Sequence, residues 1–233
     1  MRAALVHIGV YEASLRKVEM KSLKALGVML ALFVGCYVPA FGIVRVLRLS
    51  NESAVPIIIG VSLLTALIIL ALFHAQGNWA ARDFGLRLCG FKHLISALVI
   101  GGIFGIIVAF ASRHIHDRSP VRLDAFSTWQ IALLFWIAAP IQEEVIFRGL
   151  LQSVVGRVVG VGFPPGRSQF PVATVLVAVL FALIHLPMGS ATAALALLLG
   201  LTAGHLRASS SSLLPAVLVH SLFNIAGSIG SPK

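Results

Sequence analysis

Long apolar runs alternate with short polar stretches along the whole chain, and the length of those runs is the first thing that predicts structure. Crossing a hydrocarbon core of about 30 Å takes roughly 20 helical residues, and backbone facing lipid must satisfy its own hydrogen bonds, so such runs predict helices. Ala25 to Val44, Ala54 to Phe73 and Leu94 to Ser112 each qualify. A fourth span begins near Thr128 and runs to about Val159, interrupted by Glu143, Glu144 and Arg148. Between Arg167 and Arg207 there is no Asp, Glu, Lys or Arg. Leu186-Pro187-Met188-Gly189 breaks that stretch near its middle, because proline and glycine together favour a turn, which predicts two short helices in tight connection. Leu213 to Ile229 supplies a seventh span. No internal repeat, heptad or separable soluble domain is visible, and Ser209 to Ser212 reads as a polar linker. The expected fold is all-α, a polytopic transmembrane bundle of about seven spans. It forms a single membrane domain over residues 1–233, with a basic segment at 1–24, spans one to three at 25–112 and a catalytic core of spans four to seven at 127–229.

Composition agrees: 58% of the 233 residues are hydrophobic and 11% charged, against about a quarter charged in ordinary soluble domains. The net charge of +10 does not point to nucleic acid, since the basic residues lie in short stretches between apolar runs, where they act as a topology signal. The apolar run after Arg2, Arg16, Lys17, Lys21 and Lys24 is longer than a signal peptide's and has no obvious small-residue cleavage site, so it reads as an uncleaved first span, and the first twenty residues as an interfacial helix. With the N-terminus in the cytoplasm, the inside segments also gain Arg82, Arg87, Lys92, Arg157, Arg167 and Arg207. The outside ones hold fewer: Arg45, Arg48, Arg113, Arg118, Arg122 and Lys233. Cys36 and Cys89 lack the spacing of a zinc site or a disulfide framework.

Of eight acidic residues, six lie in the connecting stretches, where water solvates them, and the other two, Glu143 and Glu144, are adjacent inside a span. A carboxylate at membrane depth costs from about 2.5 kcal/mol upward, which makes it a functional-site hypothesis by default. The competing reading, a carboxylate that merely pairs with a cation, fits Glu144, because Arg148 lies four residues on, on one face and in the favourable order. Glu143 is turned by about 100° from Glu144 and its own i+4 neighbour is Phe147, so it has no intrahelical partner and suits a general base. His185 closes the fifth span, and His220 and Asn224 lie four apart on one face of the seventh. A lone helical histidine is more often structural, but here three further polar groups coincide with Glu143. At about 1.5 Å per residue, Glu143 from Thr128 and His220 from Leu213 reach similar depths, whereas His185 counted from Phe170 comes out nearer the outer side.

Pro140-Ile-Gln-Glu143-Glu144-Val-Ile-Phe-Arg148-Gly-Leu-Leu, then Phe181-x-x-x-His185, then His220-x-x-x-Asn224, resembles the CPBP family, the CAAX-protease and bacteriocin-processing (Abi-like) group of intramembrane proteases. The resemblance covers about Ala138 to Asn224. It implies a glutamate-type hydrolase in which Glu143 and His185 hold and activate a water, His220 and Asn224 stabilise the oxyanion, and Glu144, Arg148 and Phe181 support them. It implies no cofactor, with a zinc site of Glu143, His185 and His220 as the alternative. The expected partners are a peptide or protein substrate presented at the membrane and the lipid bilayer, with no nucleic acid, in an integral protein of the cell (inner) membrane. No His-Glu-x-x-His or Gly-x-Ser-x-Gly is present, and all three aspartates lie outside the spans. Two rival readings are a proton-coupled transporter, which would call for paired discontinuous helices or inverted repeats, and a non-catalytic immunity or scaffold protein, which would not need every motif residue.

Overall fold

The computed structural model describes residues 2–113, 123–159 and 172–230. Among the described residues every regular element is helical, in the order α1 (Arg2–Val46), α2 (Asn51–Ala75), α3 (Phe91–Ser112), α4 (Thr128–Val159), α5 (Val172–His185), α6 (Ser190–Ser210) and α7 (Leu214–Gly230). The first twenty residues, expected as a separate interfacial helix, run unbroken into α1. The start expected at Phe170, and Arg118, Arg122, Arg167 and Lys233 used for orientation, lie outside the described residues.

By length and composition, five helices can cross a membrane: Met20–Val46, Asn51–Ala75, Phe91–Ala111, Thr128–Val159 and Ser190–Ser210. Of the seven helices, α5 and α7 are shorter, with 14 and 17 described residues. They extend roughly 21 and 26 Å, short of a 30 Å core. Large apolar side chains stand exposed around the bundle, such as Leu72 at 60%, Ile106 at 74% and Phe110 at 68%. Such a surface suits lipid and not water. The chain is an integral membrane protein built as a polytopic helical bundle.

Lipid removes the hydrophobic drive between helices, so close packing has to hold them together. On α3, a side chain at Gly101 would run into Leu222 of α7 at 2.6 Å, and on α6 one at Gly204 would meet Thr174 of α5 at 2.6 Å. Small residues let these pairs approach. One end of the bundle is stitched by the connection from α2 to α3. There Arg157 of α4 donates to the Asn78 carbonyl (2.7 Å) and lies 4.1 Å from the Trp79 ring centre. Ser153 and the buried Arg207 both donate to the Asp83 carbonyl, at 3.0 and 2.9 Å. The Leu213 amide donates to the Gly85 carbonyl at 3.0 Å.

The fourth helix is the axis of the site and is not uniformly α. Ala132–Ala138 and Val145–Leu151 are π-helical, on either side of a six-residue α segment, Ala139–Glu144. Each π stretch shifts the register of the residues after it, so a rise and rotation counted as pure α from Thr128 drifts along this helix. Pro140 falls in the interval between the π stretches, where it withholds one backbone donor.

Candidate active site

Polar residues recur along α4 at Glu144, Arg148 and Gln152, all of them buried, and each makes a hydrogen bond to another helix, while Glu144 Oε2, Arg148 Nε and Gln152 Oε1 are buried without a partner among the described residues. Arg148 Nη1 donates to Glu144 Oε1 at 3.0 Å, and Nη2 to the Gly200 carbonyl of α6 at 3.2 Å. Gln152 Nε2 donates to Thr174 Oγ1 (2.9 Å) and to the Gly204 carbonyl (3.1 Å). Gly200 and Gly204 therefore serve twice: they let α5 come close, and they present bare carbonyls to α4. The guanidinium of Arg148 also lies 4.8 Å from the Phe181 ring centre. Removing two charges from water costs several kcal/mol per ion, and it is this set of bonds and the ring face that offset it.

His220 of α7 enters between the two glutamates. Its Nδ1 lies 2.8 Å from Glu144 Oε1, the oxygen that also receives Arg148, while its Nε2 faces Glu143 Oε2 at 3.7 Å. A carboxylate acceptor on Nδ1 puts a proton there, so Nε2 is the variable position. The side chain of Glu144 is 0% exposed and that of Glu143 21%, so only Glu143 can be reached from outside the cluster. Glu143 Oε2 is nevertheless a buried oxygen with no hydrogen-bond partner among the described residues. The pairing of Glu144 with Arg148 was legible from spacing. The second partner of Glu144 was not, because His220 comes from a helix 76 residues away.

The remaining expected residues are held less directly. His185 Nδ1 lies 2.7 Å from the Phe181 carbonyl. The Phe181 ring packs against both histidines, 4.5 Å from the His185 ring centre and 5.9 Å from that of His220. The count from Phe170 places His185 near the outer side, yet it shares the Phe181 ring with His220 as a neighbour. No hydrogen bond joins His185 to Glu143 in this arrangement. Asn224 Nδ2 donates to the Phe135 carbonyl at 2.9 Å. Phe135 lies in the first π stretch, where the amide five residues on would be the donor, and that residue is Pro140. Asn224 thus supplies a hydrogen bond that proline cannot, which leaves its second amide hydrogen for other use. Among the described residues no three His, Cys, Asp or Glu side chains cluster with metal-ligand spacing.

Two contributors escaped sequence reasoning. Gln142 is buried and donates from Nε2 to the Tyr37 hydroxyl of α1 at 2.9 Å. Phe33 of α1 packs against Phe147, their ring centres 6.1 Å apart. A glutamine next to two glutamates was visible in the sequence, but nothing local pointed it towards the first span.

Fold and site together define a helical membrane protein with a buried glutamate, histidine and arginine cluster at its centre. Residues 125–226 match the family model described as Rce1-like, type II CAAX prenyl endopeptidase. The matched segment holds every expected site residue, and this is the family that the motifs resemble. No curated protein and no solved structure matches the chain.

Proposed function

We propose that this protein hydrolyses peptide bonds of membrane-associated, C-terminally processed substrates with a water activated by Glu143. The supporting observation is the placement of His220 between two unlike glutamates, bonded to a fully buried one and facing a reachable one. The distance of 3.7 Å from Nε2 to Oε2 is wider than a hydrogen bond. A water lying off that line can bond to both atoms, each at about 2.8 Å.

In this mechanism Glu143 takes a proton from the water as its oxygen bonds to the scissile carbonyl carbon. Negative charge builds on the carbonyl oxygen, within reach of donors from α7: a protonated Nε2 of His220 and the second amide hydrogen of Asn224. Collapse of the intermediate breaks the C–N bond, and the proton held by Glu143 goes to the departing amine. His185, with Nδ1 directed at the Phe181 carbonyl, presents Nε2 as an additional holder of the water. Glu144 and Arg148 act by fixing the His220 ring. No metal is assigned. The N-terminus lies in the cytoplasm and the protein in the cell membrane, as the distribution of basic residues favours.

The test is hydrolysis of a farnesylated CAAX-box peptide by purified protein in proteoliposomes. Glu143→Gln, nearly isosteric but unable to take the proton, should abolish cleavage while folded protein accumulates as in the wild type. Full activity in that variant would overturn the assignment.

A further inference from the structure

The spacing of His220-x-x-x-Asn224 continues past the asparagine, since Ser228 lies four residues further along the same stripe of α7. Every member of the stripe is bonded to α4. His220 Nδ1 meets Glu144 Oε1 at 2.8 Å, Asn224 Nδ2 donates to the Phe135 carbonyl at 2.9 Å, and Trp136 Nε1 donates to Ser228 Oγ at 2.8 Å. The serine hydroxyl is committed in both directions, because it also donates to the Ile225 carbonyl at 2.8 Å. An indole N–H can only donate, so Ser228 is the acceptor that lets Trp136 lie partly buried.

The opposite face of α7 is held differently. Leu222 and Ala226, turned by about 200° from His220 and Asn224, meet α3. There a side chain at Gly101 would lie 2.6 Å from Leu222, and one at Gly105 would lie 3.3 Å from Ala226. Apolar contact of this kind brings two helices close without fixing their rotation, whereas a hydrogen bond is directional. The rotation of α7 about its axis is therefore set on the α4 side. At a side-chain radius of about 5 to 6 Å, a turn of roughly 20° moves the His220 ring by about 2 Å. That is enough to lose a water shared by His220 Nε2 and Glu143 Oε2, which stand 3.7 Å apart. Phe135 and Trp136 both belong to the π stretch Ala132–Ala138, which precedes Glu143 and shifts its register, so the same bonds steady the helix that carries the base.

We propose that Trp136 and Ser228 are positioning residues of the active site, their bond setting the rotation of α7 and with it where His220 Nε2 and the Asn224 amide stand against Glu143. The proposal rests on the reading of Glu143 as the general base. Neither residue belongs to the motifs that carry the family resemblance, and Ser228 lies beyond the matched segment 125–226.

Full-length protein labelled with 15N-tryptophan and 15N-histidine tests the proposal without turnover. The chain has three tryptophans, and the indole signal lost in Trp136→Phe is that of Trp136. The ring signals of His220 are assigned in the same way from His220→Gln. Ser228→Ala should move both the Trp136 and the His220 signals, and Ser228→Thr, which keeps the hydroxyl, should return both towards the wild type. His220 signals unmoved by Ser228→Ala overturn the proposal whether or not any peptide is cleaved. In turnover of the farnesylated peptide, Trp136→Phe and Ser228→Ala should each lower kcat roughly 10- to 100-fold with KM unchanged, as expected for misplaced donors. Ser228→Thr should recover most of that loss, and the double variant should be no slower than either single one, because both changes remove the same bond. Losses that multiply in the double variant, or wild-type kcat in both single variants, overturn the proposal. If Glu143→Gln retains turnover, the reading of Glu143 fails, and the histidine signals still decide whether the bond positions His220.

Discussion

His220 Nδ1 lies 2.8 Å from Glu144 Oε1, on the same oxygen that receives Arg148 at 3.0 Å. One carboxylate oxygen thereby ties three side chains of two helices together, and the protonation of His220 at Nδ1 follows from it. The adjacent Glu143 is left to face the other ring nitrogen. Two neighbouring glutamates so have different surroundings, because the helix turns between them and only Glu144 is paired with Arg148.

That difference predicts opposite phenotypes. Glu144→Gln strands Arg148, 1% exposed, without its charge partner. Breaking a buried pair of this kind costs about 3 to 5 kcal/mol, so the thermal midpoint and yield should fall first and activity with them. Glu143→Gln removes no ion pair to Arg148 and should keep the wild-type midpoint. Thermal unfolding of both variants, run beside the peptide assay, checks this; a well-folded, inactive Glu144→Gln beside an active Glu143→Gln would reverse the roles.

Asn224 and Pro140 should be energetically coupled. Asn224→Leu leaves the Phe135 carbonyl without its donor, at a cost of about 1 to 3 kcal/mol. Pro140→Ala returns a backbone N–H to the π stretch, and in the Asn224→Leu background it should recover part of that loss. A double-mutant cycle on unfolding free energy measures the coupling, and strict additivity would disprove it.

The approach of α6 to α5 sets the position of the Gln152 bonds. A Cβ at Gly204 would lie 2.6 Å from Thr174 Cγ2, so Gly204→Ala should destabilise by about 1 to 3 kcal/mol through overpacking. Thr174→Ser removes that methyl and keeps the hydroxyl accepting from Gln152. The double variant should regain most of the lost stability, read as a rise in the thermal midpoint over Gly204→Ala alone.

A metal-independent site should ignore chelation. Prolonged dialysis against a strong chelator should leave peptide cleavage intact, and elemental assay of the purified protein should find no stoichiometric zinc. Loss of activity restored by zinc, with turnover tracking occupancy, would instead make ligands of Glu143, His185 and His220, since a bound ion both acidifies its water and polarises the carbonyl.

The sequence by itself determined the material of this protein: its helices, its membrane, and the one span with two carboxylates inside it. These are local properties, set by run length and by the cost of a charge in lipid, and the spacing from Glu144 to Arg148 is as local as they are. It could not determine where α4 leaves the α register. Two π stretches and Pro140 change rise and rotation by amounts that hydrophobic pattern does not encode, so depths counted from Thr128 drift. It could not place His220 on Glu144, nor Tyr37 beside Gln142, because those bonds join helices 76 and 105 residues apart. In lipid, where apolar surface gives no direction to helix pairing, the glycine contacts and buried hydrogen bonds choose the neighbours. Only the folded bundle decides which polar groups meet.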